Sequence, residues 1–297
     1  MNNLLNASTT TKNSPSVSGS TGVCAVIGDP IAHTLSPVIH NVAFRSLKMD
    51  LVYVPFRVRR SELGAAIEGF RSLGVLGINI TMPHKSRVLR FLDRIDDTAR
   101  EIGAVNTVVR KSTRLHGYNT DGEAAVTALL HLGSLSGRKA LILGAGGAAK
   151  AIAYQLSKTA DSIVILNRTR SNGARLASKI TKWNEIPSRS YALNRRNLRR
   201  EAGRGNLLVN TLPVHVFPRF AKMLIQEGLA ARDMLVMDAN YKPESDFLTK
   251  ARLAGAKAID GLEMLIEQAA LSFKLWTGLD APIDVMREAA VEARARL

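Results

Sequence analysis

"RKALILGAGGAAKAIAYQLSK", residues 138 to 158, decides the fold. The apolar run "ALIL" leads into Gly144, Gly146 and Gly147, after which small and apolar residues recur at helical spacing. A strand that ends in a glycine turn and opens directly into a helix is the setting in which the pattern G-x-G-x-x-A holds a dinucleotide. Gly144 suits the tight turn, Gly146 lets the backbone approach a pyrophosphate, and Ala149 takes the small-residue position, with Ala145 and Ala148 completing the loop. The helix N-terminus that follows offers unpaired N–H groups and the positive end of its dipole to phosphate.

Downstream, "SIVILN", "NLLVNT" and "MLVMDAN" read as further strands separated by helical or polar stretches, so residues 122–256 are expected to form one Rossmann-like nucleotide-binding domain. The second of these strands ends in Asn167-Arg168-Thr169-Arg170. An NAD site places an acid there, roughly 20 residues past the loop, to bind the ribose 2′-hydroxyl. No acid is present, whereas the Arg168 guanidinium can pair bidentately with a 2′-phosphate. The cofactor expected is therefore NADP.

The same alternation runs upstream. "VCAVIG", "LVYVPFRV", "VLGINIT" and "AVNTVV" read as strands of a first α/β domain over residues 22–121 with a mainly parallel sheet. Between them Leu63, Ala66, Ile67 and Phe70 predict a helix over residues 61–73, with Ser61 as its cap. "KAIDGLEMLIEQAALSFKLWTG", residues 257–278, predicts a long helix with Leu262, Leu265, Ile266, Ala269 and Phe273 on one face.

A chain of 297 residues suits two such domains. It has no apolar run of the ~18 residues that a membrane span needs, which points to a soluble protein. Its single cysteine, Cys24, excludes a disulfide framework or a cysteine zinc cluster and fits the reducing cytoplasm. Within "VCAVIG" that thiol reads as a small buried hydrophobe. Residues 1–21 are polar and lack any targeting pattern, so they are expected to be a disordered tail. The net charge of +16 invites a nucleic-acid reading, but the basic groups are scattered, without interleaved aromatics or a reading motif. The composition therefore argues against a nucleic-acid partner, and a positive field equally draws in small anionic substrates.

The first domain carries polar residues at its strand ends, where open α/β sheets gather ligands. "NITMPHK" supplies Asn79, Thr81 and Lys85, "GAVNTV" supplies Asn106, and "GYNTDG" supplies Asn119, Thr120 and Asp121. His33, His40, His84 and His116 also fall here, but none pairs with another at ligand spacing beside a carboxylate, so no metal is expected.

In order along the chain, "GDPIAHTLSPVIHN", "NITMPHK", "GAVNTV", "GYNTDG", "GAGGAAKA", "NRT", "DANYKP" and "DGLEMLIEQAA" resemble the shikimate dehydrogenases and their quinate-using relatives, over residues 23 to 290. The resemblance implies NADP-dependent reversible reduction of 3-dehydroshikimate to shikimate, in the route to chorismate and the aromatic amino acids. It also implies that residues 257–297 return to complete the substrate domain. Carried onto this chain, Thr34, Ser36, Thr81 and Tyr241 would hold the substrate carboxylate. Asn79 would join the substrate site, while Lys85, Asn106, Asp121 and Gln268 would hold the ring hydroxyls and the reacting oxygen. Lys85 and Asp121 would be the catalytic pair, a positioned cation being the natural proton donor to a developing oxyanion. Gly144, Ala145, Gly146, Gly147, Ala148, Asn167, Arg168, Thr169 and Gly261 would bind the cofactor.

Two positions depart from the family pattern. Thr34 stands where a serine is common, adding a methyl to the carboxylate pocket and leaving quinate use open. The loop usually written "NATS-x-G" is here "VNTLPVH", residues 209–215, with no glycine and a turn stiffened by Pro213. Broader quinate or NAD use and a non-catalytic dinucleotide-binding role are the competing readings, and a homodimer is compatible with all of them. Thr34 and Ser36, ahead of Pro37, are expected to lie on an extended segment after the first strand, where the two hydroxyls point the same way, with His33 and His40 structural.

Overall fold

A computed structural model describes residues 17–213, 215–226, 233–241 and 246–296. Residues 1–16 of the expected tail, Val214 of "VNTLPVH", Lys242 and Pro243 of "DANYKP", and Leu297 lie outside the described residues. Within the remainder of that expected tail, the Ser20 and Thr21 hydroxyls donate to Asp50 at 2.8 and 2.6 Å, so residues 18–21 form a turn fastened to the domain.

Two six-stranded sheets organise the chain. The first contains β1 (Gly22–Gly28), β2 (Leu51–Arg57), β3 (Gly77–Ile80), β4 (Arg94–Ile95), β5 (Thr107–Lys111) and β6 (Arg114–Tyr118), in the order 2-1-3-5-6-4. Three of its five pairings are parallel; β5 runs antiparallel to both β3 and β6. That reversal has a consequence for the site. It brings the end of β3, the start of β5 and the end of β6 to one sheet edge, with Asn79 opposite Thr107 and Thr107 opposite Tyr118. "NITMPHK", "GAVNTV" and "GYNTDG" therefore meet there.

One face of this sheet is covered by α1 (Ser36–Ser46) and the other by α2 (Leu63–Ser72) and α3 (Asp97–Ile102). Helix α2 buries Leu63, Ile67 and Phe70 as its spacing requires. Ser61 does not cap it: Glu62 already has αR geometry as the cap residue, leaving Ser61 one residue too early. Ser36 opens α1 rather than lying on an extended segment, because Leu35 turns into αR geometry and Pro37 favours the first helical turn.

Helix α4 (Asp121–Leu130) leads to the second sheet, built from β7 (Lys139–Leu143), β8 (Ser162–Asn167), β9 (Ser188–Ala192), β10 (Leu207–Asn210), β11 (Leu235–Asp238) and β12 (Lys257–Asp260). Its order, 12-11-10-7-8-9, is parallel throughout, the doubly wound arrangement of a Rossmann domain. Helices α5 (Gly147–Leu156) and α6 (Arg170–Asn184) join α4 on one face. On the other lie α7 (Arg195–Ala202), α8 (Pro218–Gln226) and α9 (Asp246–Leu253).

Residues 257–260, expected to begin the long helix, instead form β12, and the sheet extends past the boundary placed at 256. Asp260 then caps α10 (Gly261–Thr277) by accepting from the Leu262 N–H at 2.9 Å. Leu262, Ile266, Ala269 and Phe273 of α10 join α11 (Ile283–Arg294) and α1 in the core of the first domain, while Met264 packs into the core of the second. Helix α10 thus belongs to both cores. No helix among the described residues is long and apolar enough to cross a membrane.

Candidate active site

A cleft of about 510 Å³ opens where the C-terminal edges of the two sheets face each other. Lys85, Asp121, Thr34, Ser36, Asn79, Thr81, Asn106, Tyr241 and Gln268 all line it, as do Gly146, Gly147, Ala148 and Gly261. Gly144, Ala145, Asn167, Arg168 and Thr169 lie outside its wall, further along the nucleotide-binding edge.

Lys85 follows the turn after β3, where the Val105 N–H fixes its carbonyl at 2.8 Å. Its Nζ donates to Asp121 Oδ2 at 2.6 Å, with 21% of the lysine side chain and 5% of the aspartate exposed. The ammonium therefore faces the cleft and the carboxylate is sunk behind it. Asn106 Nδ2 donates to the other oxygen, Asp121 Oδ1, at 2.9 Å, and also to Thr120 Oγ1 and Gln268 Oε1 at 2.8 and 3.3 Å. The Asn106 oxygen accepts from the Thr120 N–H at 2.8 Å, so its amide orientation is fixed from both ends. Asn119 Oδ1, in turn, accepts from the Asp121 N–H at 3.1 Å, just ahead of α4.

Asn79 sits one step behind this group. Its oxygen accepts from Tyr53 Oη at 2.7 Å, and its nitrogen donates to the Asn106 carbonyl, Thr107 Oγ1 and Ser272 Oγ at 3.1 to 3.2 Å. It touches the cleft but spends its amide on the frame that carries Asn106. At the other end Thr34 Oγ1 donates to Ser36 Oγ at 3.2 Å, so the two hydroxyls do converge, across the start of a helix. Burial pushes the Tyr241 phenol above its ordinary range.

His40 and His84 are fully buried, and His84 Nε2 meets the Val58 carbonyl at 2.7 Å. His33 alone of the four lines the cleft. Among the described residues, no group of three or more His, Cys, Asp or Glu side chains is placed to hold a metal ion. Cys24 is buried in β1 and its thiol is pushed up to about 12 by that burial.

The glycine loop fits a dinucleotide. Gly144 has φ +112°, a conformation closed to side chains, and a Cβ there would lie 2.3 Å from Thr211 Oγ1. Gly146 caps α5 with open space where a Cβ would be. A Cβ on Gly147 would press on the Lys85 side chain at 3.3 Å, so the cofactor loop and the lysine share one wall. At the end of β8, Arg168 and Arg170 are exposed and no acid accompanies them.

The altered loop after β10 is tied to the segments around it. Thr211 Oγ1 donates to the Leu143 carbonyl at 2.7 Å, the Leu212 N–H to Asn210 Oδ1 at 3.0 Å, and Asn240 Nδ2 to the Leu212 carbonyl at 3.0 Å. Asn240, Asn210 and Asp238 are polar residues of this region that sequence reasoning missed. The only signal was their position at the ends of two strand runs.

A Rossmann sheet whose phosphate loop abuts a lysine–aspartate pair across a cleft defines a two-domain, NADP-linked oxidoreductase. Family models sharpen this: residues 26–108 match the shikimate dehydrogenase substrate binding domain, 126–196 the shikimate / quinate 5-dehydrogenase model, and 261–291 the shikimate 5′-dehydrogenase C-terminal domain. The chain belongs to the shikimate dehydrogenase family. The shikimate dehydrogenase (NADP(+)) of Thermococcus kodakarensis is 44% identical over 273 residues, spanning 92% of this chain and 97% of that one. A crystal structure of a shikimate dehydrogenase in complex with NADP+ has TM-score 0.83 and 35% identity, covering 93% of this chain and 97% of the other. The Thermus thermophilus shikimate 5-dehydrogenase in complex with NADP(H) and shikimate has TM-score 0.78 and 33% identity, covering 92% and 99%.

Proposed function

We propose that the chain catalyses the NADP-dependent, reversible reduction of 3-dehydroshikimate to shikimate, with Lys85 and Asp121 as its acid–base pair. The observation that carries the reading is the Lys85 Nζ to Asp121 Oδ2 contact of 2.6 Å, set on the cleft wall against Gly147. NADPH, when bound, supplies the hydride that adds to the C3 carbonyl carbon. Lys85 Nζ gives its proton to the oxygen as negative charge builds there, and the adjacent Asp121 carboxylate keeps the ammonium aimed at the cleft. Asn106 and Gln268 hold ring hydroxyls, and the hydroxyls of Thr34, Ser36, Thr81 and Tyr241 hold the carboxylate. Gly144 to Ala148 and Gly261 flank the cofactor's phosphates and nicotinamide end, with Asn167, Arg168 and Thr169 at the 2′-phosphate. In the reverse direction Lys85 takes the hydroxyl proton.

In this reading residues 22–121 and 261–297 form the substrate domain and 122–260 the nucleotide domain, the boundary set at 256 moving past β12 because that strand pairs with β11. We read the protein as cytoplasmic, on its lone buried thiol. A homodimer is the assembly that sedimentation of the purified chain would test.

Steady-state assays at 340 nm with shikimate and quinate, each with NADP and NAD, test the reaction; quinate with NAD winning would overturn it. Lys85→Ala should lower kcat by roughly 10²–10⁴-fold and leave NADP affinity nearly unchanged. Wild-type turnover in that variant would remove Lys85 from the chemistry.

A further inference from the structure

Asp238 is buried to 4% exposure behind the Ala239–Tyr241 segment of the cleft wall, and the acid–base reading gives it no role. It ends β11 in a row that the sheet register fixes: Leu143 opposite Asn210, Asn210 opposite Asp238, and Asp238 opposite Asp260. From the four strands of that row come the glycine loop, the loop after Asn210, the Ala239–Tyr241 segment and the start of α10. All four contribute to the cleft wall.

Three donors converge on one oxygen of this carboxylate. Asn210 Nδ2 reaches Asp238 Oδ1 at 2.9 Å, Asn240 N–H at 3.1 Å and Asn240 Nδ2 at 2.7 Å. The same two asparagines then reach the altered loop: Asn210 Oδ1 accepts from the Leu212 N–H, and Asn240 Nδ2 donates to the Leu212 carbonyl. Both polar groups of the Leu212 backbone are thus tied, through one asparagine each, to one buried acceptor. Tyr241 is the very next residue after Asn240.

We propose that Asp238 and Asn240 form a positioning cross-tie that locks the 211–213 loop to the 239–241 segment and so sets where Tyr241 stands in the substrate pocket. A loop without the glycine expected there, and carrying Pro213, needs outside fastening to keep one conformation, and this pair of asparagines supplies it. The anchor works by accepting hydrogen bonds. Burial raises the Asp238 carboxyl above its ordinary range, against the pull of the Asn240 and Asn210 bonds, and an acceptor at Oδ1 serves all three donors whatever the charge. An amide at position 238 keeps that acceptor and an alanine does not.

The inference rests on Tyr241 contacting the substrate. Its test is a double-mutant cycle on Asn240 and Tyr241 in the full chain, with kcat and KM measured for shikimate and NADP. Wild type must first oxidise shikimate with NADP; absence of that turnover would strike the proposed reaction and not this cross-tie. Asn240→Ala should raise the shikimate KM by about tenfold, the equivalent of one well-placed hydrogen bond to the substrate. Its kcat should hold within about twofold, because loss of an interaction shared by ground and transition states shows in KM. Tyr241→Phe should raise KM similarly, and the double variant should be little worse than either single, since Asn240 acts through Tyr241. Asp238→Asn should keep a near wild-type KM while Asp238→Ala loses it. An unchanged KM in Asn240→Ala, a multiplicative double variant, or an Asp238→Asn as impaired as Asp238→Ala would each overturn the proposal.

Discussion

His40, fully buried on α1, stacks on Tyr53 at 4.4 Å and lies 5.1 Å from the Trp276 ring. Burial lowers its pKa to about 3; Asn79 opposes the shift, but neither ring nitrogen reaches a hydrogen-bond partner among the described residues. The imidazole is therefore neutral in the fold and acts as an aromatic spacer beneath the Tyr53–Asn79 bond. The folded form holds the proton more weakly than the unfolded chain. Stability from this site is intact above the ordinary histidine value of 6.5 and drains away as pH falls towards about 3. Denaturant unfolding at pH 7 and 4.5 should show wild type losing roughly 2–3 kcal/mol more than His40→Leu over that interval. Equal losses would mean that the ring is protonated inside the fold. In the sequence, "structural" was the most that could be said of His40, because the partners that make it so lie on β2 and α10.

At the scale of elements, the helix crossing between α4 and α5 brings the two domains' chemistry together. A Cβ on Gly122 would lie 2.4 Å from the Ala151 carbonyl oxygen and 2.9 Å from its carbon, so α4 presses its backbone directly on α5. Asp121, one residue earlier, is thereby held beside Lys85, whose side chain packs on Gly147. Gly→Ala in a helix ordinarily stabilises by ~0.4–1 kcal/mol, whereas overpacking against rigid backbone costs ~1–3 kcal/mol. Gly122→Ala should therefore lower the urea midpoint and reduce kcat together, and a variant more stable than wild type would show the crossing to be loose. The glycine loop and the long buried strands were legible because each is a run of one residue character. Strands β9 ("SRSYA"), at the sheet edge and nowhere fully buried, and β12 ("KAID"), passing straight into a helix, carry no such run. The candidate site was legible as residue types but not as a network: Asn79 lines the cleft, while its bonds to Tyr53, Thr107 and Ser272 join segments that lie far apart in the sequence.

For the whole molecule the unusual quantity is the formal charge of +16. Much of it is solvated: Arg57, Arg59, Arg60, Arg168, Arg170, Arg195, Arg196 and Arg199 are exposed on both domains. The ion pairs among them that involve acids, such as Arg57 with Asp29 at 2.8 Å and Arg59 with Glu62 at 3.5 Å, are surface contacts worth ~0–1 kcal/mol each. So large an excess costs some self-repulsion and adds little to stability, but it gives the molecule as a whole a positive field, and both proposed ligands are anions. The field reaches roughly 30 Å at 0.01 M salt and only about 3 Å at 1 M. If it gathers ligands, kcat/KM should fall severalfold as salt rises across that range while kcat holds. The decline should be steeper for NADP, which carries several negative charges, than for shikimate, which carries a single carboxylate. A flat response for both would confine the charge to solubility. A fall in kcat with KM unchanged would place its effect on the folded geometry instead, because screening acts on encounter and binding and leaves the proton transfer at Lys85 untouched.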